Sequence, residues 1–106
     1  MYFIISTTTD DKSVANSISE KVLVLNLSPC IQIIPNIQSL YTWNNKTETS
    51  NEYLIQIKTI EKNIASIVNI VKDNHNYEVP EIISHKINLH SDKYKNWFIA
   101  NSKRKE

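Results

Sequence analysis

Hydrophobic and polar positions change period repeatedly along this chain, and each change marks an element. Tyr2 to Thr8 is a short β-rich run that ends at Asp10 and Asp11, good helix-capping residues, after which Val14, Ile18, Val22 and Leu25 recur at helical spacing. That pattern predicts a strand and then an amphipathic helix, with Pro29 expected to stop the helix. Ile31, Ile33, Ile37, Tyr41 and Trp43 then fall on one face of an extended segment interrupted at Pro35. Asn44-Asn45 suits a tight turn, and Tyr53, Ile55 and Ile57 alternate with Leu54, Gln56 and Lys58 on the return. Ile60, Ile64, Ile67, Val68 and Val71 predict a second helix. Ile82 to Leu89 predicts a fourth strand, and Tyr94, Trp97 and Phe98 a terminal helix begun near Ser91-Asp92. The order βαββαβ plus a helix is the ferredoxin-like α+β arrangement.

The hairpin strands, from about Cys30 to Trp43 and Thr47 to Thr59, far exceed the usual length of roughly 5–6 residues. Their distal half must overhang the domain's own sheet. An overhanging apolar ribbon ending in Leu40, Tyr41 and Trp43 is an aggregation hazard unless a symmetric partner covers it, so the pattern predicts a homo-oligomer. The 106 residues suffice for one domain, 1–102, followed by a solvated basic tail, 103–106. With no glycine, positions that need a positive φ must use Asn or Asp, and Asn36, Asn44, Asn45, Asn51, Asn74 and Asn76 stand where turns are wanted. A net charge of +1, from 12 Lys plus Arg against 11 Asp plus Glu, creates no field for nucleic acid or an anionic membrane. The first residues, apolar only to Ile5 and without a basic flank, predict neither a signal peptide nor a span, and the single Cys30 fits a reducing, cytoplasmic setting. Enzymatic readings find little support. The only arginine, Arg104, lies in the tail, which argues against an acylphosphatase-type phosphate loop, and no glycine-rich phosphate motif or zinc motif is present.

Three stretches together resemble one family. Cys30-Ile31-Gln32-Ile33-Ile34-Pro35-Asn36-Ile37-Gln38-Ser39-Leu40-Tyr41-Thr42-Trp43, then Lys46, Glu48, Glu52 and Ile57-Lys58-Thr59, then His75 to Ile83, resemble the CutA divalent-cation tolerance proteins in order and separation. The resemblance implies a ferredoxin-like subunit in a tight PII-like trimer whose long hairpins pair between subunits. It also implies a part in tolerance of copper and other divalent cations, with no catalytic reaction. Asn36 and Asn45 stand where the family usually has glycine, and Asn76 replaces a proline, a change expected to loosen the loop between His75 and Tyr77.

Several side chains are candidates for chemistry. Cys30 and His75 are thiolate and imidazole donors suited to copper, and Glu81 is a carboxylate beside His75 that fits a weak divalent-ion site at a subunit junction. A lone cysteine at the start of a buried strand also reads as a small hydrophobe, and His75 as a hydrogen-bonded loop residue. His85, alternating with Ile83 and Ile87, is expected to be packed or half-buried, and His90 exposed. Lys58, inside an apolar strand, must snorkel or find a carboxylate. A cleft for a small effector, formed as subunits meet, is expected from Tyr41, Trp43, Lys46, Glu48, Lys58, Tyr77 and Glu78. The alternatives are a lysine that sets trimer register and aromatic residues that anchor the interface.

Overall fold

The computed structural model describes residues 1–105. In chain order the elements are β1 (Tyr2–Thr9), α1 (Lys12–Val24), β2 (Cys30–Trp43), β3 (Lys46–Ile60), a 3-10 turn (Glu61–Asn63), α2 (Ile64–Asn74), β4 (Ile82–Ile87) and α3 (Asp92–Ala100). The strands form one antiparallel sheet in the order β2-β3-β1-β4, the ferredoxin-like topology expected. The pairs Phe3–Thr59, Ile5–Ile57 and Thr7–Ile55 turn one face of the sheet toward α1 and α2. There Ile5, Ile55 and Ile57 meet Ala15, Ile18, Val22, Leu27, Ile67 and Val71 in a dry core. Phe98 of α3 is buried separately, edge-on to Tyr2 with ring centroids 5.6 Å apart. No described helix is long and apolar enough to cross a membrane.

Helix boundaries follow local chemistry. Asp11 caps α1, accepting from the backbone N–H groups of Ser13 and Val14, and the Ser13 hydroxyl and those N–H groups lower its pKa. Pro29 does not end this helix. Asn26 does so, at φ 58°, with its N–H on Leu23 O at 2.9 Å and the Leu27 N–H on Val22 O at 3.2 Å. This pair of bonds is the Schellman closure, made here by asparagine in a chain without glycine. The other positive-φ residues are Asn36, Asn44 and Asn45, at 60°, 51° and 62°. Asn44-Asn45 is the two-residue connection of the hairpin. Asn51 lies within β3 and Asn74 ends α2, so the turn role expected for them is absent. Ile60 closes β3 and does not open α2, and β4 stops at Ile87, short of Leu89.

One irregularity organises the hairpin. Ile34 pairs with Leu54 and Ile37 with Glu52, so Pro35 and Asn36 together oppose Tyr53 alone, a β-bulge. An extra residue reverses the side-chain alternation of β2 relative to β3. Ile31 and Ile33 therefore share the helix-covered face with Ile55 and Ile57, whereas Ile37, Tyr41 and Trp43 share the opposite face with Leu54, Gln56 and Lys58. The single stripe expected from alternation is two half-stripes on opposite faces. Beyond Tyr53, the last residue of β3 paired to β1, residues 46–52 and their β2 partners extend past the rest of the sheet, as the strand lengths required.

The tail keeps its described side chains, Lys103, Arg104 and Lys105, exposed while two backbone contacts tie it to the end of α1. Lys105 N–H donates to Leu25 O at 2.9 Å and Asn26 Nδ2 to Lys103 O at 2.9 Å. Glu106 lies outside the described residues.

Candidate functional site

The segment between α2 and β4 folds across the end of β1 and faces the projecting hairpin. His75 anchors it. Its Nδ1 accepts from the Tyr77 N–H at 3.0 Å, which places the ring proton on Nε2, 2.9 Å from Thr8 O and 3.2 Å from Thr7 Oγ1. Burial lowers its pKa, against the opposing pull of Thr8 O, Glu52 and Asp10. Asn76 accepts from Thr9 Oγ1 at 2.6 Å and donates to Asp10 Oδ1 at 2.8 Å. The loosening expected from asparagine in place of proline is offset by these two bonds, which tie the loop to the end of β1.

Tyr77 then reaches across to β3. Its hydroxyl donates to Glu52 Oε2 at 2.6 Å, and burial together with that carboxylate pushes the phenol pKa well up. Glu52 is only 5% exposed, so Tyr77 supplies the hydrogen bond that a buried carboxylate requires. Between this bridge and the hairpin runs an open groove of ≈ 990 Å³, with Tyr41, Trp43, Glu48, Glu52, Tyr77, Glu78 and Glu81 in its walls. Tyr41 is held by a 2.8 Å hydrogen bond between its hydroxyl and Ser50 Oγ. Among the described residues, no lysine, arginine or histidine lines the groove. Its chemistry is therefore acidic and aromatic.

The expected site residues divide by position. Tyr41, Trp43, Glu48, Tyr77, Glu78 and Glu81 share the groove. Lys58 and Lys46 do not. Lys58 sits on the face opposite α1 and α2, with Cys30 and Ile4 as its cross-strand neighbours, so no carboxylate meets it within the ladder. Cys30, half-buried at the start of β2, stands with Lys58 near the far end of the sheet, whereas His75 contacts Thr7 and Thr8. The two soft donors do not meet in one chain, and both ring nitrogens of His75 are already engaged. Among the described residues no three His, Cys, Asp or Glu side chains converge to hold a metal ion. His85 is exposed, contrary to the packed position expected from its apolar neighbours, and Ile83 on the same face is exposed with it; His90 is exposed as expected. Glu52 belongs to the family-like stretch of the sequence, where nothing marks it as buried. Its low exposure depends on Tyr77, 25 residues away, a contact that no local pattern reveals.

Similarity to known proteins agrees with this architecture. The family model described as "CutA1 divalent ion tolerance protein" matches residues 3–101. The chain is 39% identical over 93 residues to "Protein CutA, chloroplastic" of Arabidopsis thaliana, a match that covers 88% of this chain and 48% of that one. It thus spans about half the length of the plant relative. Among solved structures, the divalent cation tolerance protein (Cut A1) from Thermus thermophilus superposes with a TM-score of 0.91 at 27% identity, covering 97% of this chain and all of that one. The periplasmic divalent cation tolerance protein CutA from Archaeoglobus fulgidus gives 0.91 at 26%, covering 97% and 100%. With the matched region running from β1 through α3, the chain belongs to the CutA1 divalent ion tolerance family.

Proposed function

We propose that this chain is a non-enzymatic homotrimer of the cytoplasm that contributes to divalent-cation tolerance by binding such ions weakly in its acidic groove. One observation carries the reading: Glu48, Glu52, Glu78 and Glu81 line a single groove in which no described side chain is basic. Carboxylates and water suit hard divalent cations, and copper tops the affinity order among first-row divalent ions even at such donors. Because three ligands do not converge among the described residues of one chain, binding is weak until a neighbouring subunit closes the groove. Cys30 and His75 stand outside this site. Assembly is supported by the projecting hairpin, on which Leu40, Tyr41 and Trp43 are 66%, 44% and 46% exposed. A second reading, a small effector in the same groove, is favoured by those half-exposed Tyr41 and Trp43 rings.

Sedimentation at micromolar concentration should find a trimer, and a stable monomer would overturn the assembly. Calorimetric titration with Cu2+ should give heat that is lost in Glu78→Gln/Glu81→Gln and kept in Cys30→Ala; the reverse pattern would move the ion to Cys30. A thermal-shift screen of metals and small metabolites separates the two readings, since only the true ligand class raises Tm progressively, with the logarithm of its concentration above Kd.

A further inference from the structure

Away from the groove, the start of α2 and the C-terminal tail enclose a second concavity, of ≈ 480 Å³, whose lining is Lys62, Asn63, Ser66, Lys103 and Arg104. We infer that this concavity is a binding site for phosphate groups, in particular a short polyphosphate or the phosphate chain of a small metabolite. It is independent of the metal reading.

Three cations line a small hollow that no carboxylate of the described residues enters. In a chain of net charge +1 such crowding is not a consequence of overall basicity. A lasting arrangement of these three cations needs a backbone beneath it that is fixed by bonds of its own. Those bonds are present. Asn63, 3% exposed, donates through Nδ2 to Ser102 O at 2.7 Å and to Leu27 O at 3.1 Å. Ser102 is fully buried, with its hydroxyl on Phe98 O at 2.6 Å. Asn26 and Leu25 then hold the backbone of Lys103 and Lys105. The tail is thereby laid along the helix layer with Lys103 and Arg104 beside Lys62.

The donors in the hollow suit phosphate. Arg104 places Nη1 2.7 Å from Ser66 Oγ, which orients the guanidinium while using one of its five N–H donors. Ser66 accepts that bond and keeps its own O–H to donate. A planar fork beside two ammonium groups is the donor set that recognises phosphate oxygens, with Arg supplying paired geometry and Lys point charge. Among the described residues no aromatic or large aliphatic side chain lines the hollow, so a nucleobase would find no surface to stack on. Recognition should rest on the phosphates alone, and affinity should follow phosphate charge and not base identity.

The test uses the whole chain, with pyrophosphate, orthophosphate, a nucleoside triphosphate and sulfate as probes at constant ionic strength, read by amide chemical shifts and calorimetry. Pyrophosphate and the nucleoside triphosphate should bind alike and more tightly than orthophosphate or sulfate, shifting amides of residues 61–66 and 102–105. Lys62→Gln and Arg104→Gln should each weaken pyrophosphate by roughly tenfold, the size of a lost charge-assisted hydrogen bond, while Lys12→Gln, outside the hollow, leaves it unchanged. Arg104→Lys should fall between. Shifts that match those from sodium chloride, or equal losses in Lys12→Gln, would overturn the site, as would binding that depends on the base. Both glutamine changes are at exposed side chains, and a preserved far-UV spectrum separates lost binding from lost fold.

Discussion

The two halves of the β2–β3 hairpin are written in the same residue alphabet and meet different surroundings. On the near side of the bulge, Ile31 and Ile33 lie over Ile55 and Ile57, and the helices cover them. On the far side, Leu40, Tyr41 and Trp43 pair with Thr49, Glu48 and Lys46 and face solvent in the single chain. β-Branched and aromatic residues define a surface that must be covered, but not what covers it. In the near half the cover is α1 and α2. In the far half it is the second copy that the proposed trimer supplies, together with the loop that Tyr77 ties to Glu52.

The largest contrast should appear in unfolding. Ile57→Ala removes a fully buried side chain from the core and should cost about 2–5 kcal/mol in denaturant unfolding, at every protein concentration. Leu40→Ala should leave that concentration-independent part nearly unchanged and instead lower the midpoint more on dilution, because its cover is intermolecular. An equal, concentration-independent loss from both would mean that the two halves are one core and that the comparison fails.

A smaller effect should arise where the halves join. Asn36 holds φ 60° in the bulge that moves Ile37, Tyr41 and Trp43 to the open face. Asn36→Ala should cost about 1–2 kcal/mol, since a β-carbon opposes the left-handed backbone and alanine lacks the local hydrogen bonds of asparagine. Asn36→Gly should be close to neutral. Should alanine also prove neutral in chemical denaturation, the positive φ is not what sustains the bulge.

Much of this was legible from residues close together in the chain. The αβ order, the Asp11 and Ser91 caps, the Asn44-Asn45 turn and the overhang of the hairpin all follow from short-range patterns. What escaped depended on a single inserted residue or on distant contacts. Pro35 marked an interruption, but whether it shifts the register by one is decided by the pairing of Ile34 and Ile37 across β3. Asn26 ends α1 as glycine would, and in a chain where asparagine does glycine's work everywhere its signal was lost beside Pro29. Half of the groove was readable, since Tyr41, Glu48, Tyr77, Glu78 and Glu81 do gather. Lys46 and Lys58 are not in the groove of the single chain, because alternation alone assigns a residue to a face and does not say how far along a long strand it lies.

The smallest effect should come from His75, and it bears on the far half alone. The folded chain holds the ring neutral, with Nδ1 accepting the Tyr77 N–H, a bond that protonation of Nδ1 must break. Burial lowers the folded pKa below the ordinary 6.5, so the unfolded chain takes up the proton first. The contribution is therefore complete above about pH 6.5 and declines as pH falls through that value toward the lower folded pKa. Stability of the native chain should decrease between about pH 7 and pH 5, and His75→Gln should flatten the difference over that window. The loss should also be local. Amide exchange at Tyr77 and Glu52 should quicken on acidification in the native chain while Ile55 and Ile57 stay protected, because the ring ties the loop to β1 and not to the core. Identical pH profiles for the native chain and His75→Gln would remove the imidazole from this role, and uniform quickening across β3 would show that the two halves of the hairpin open together.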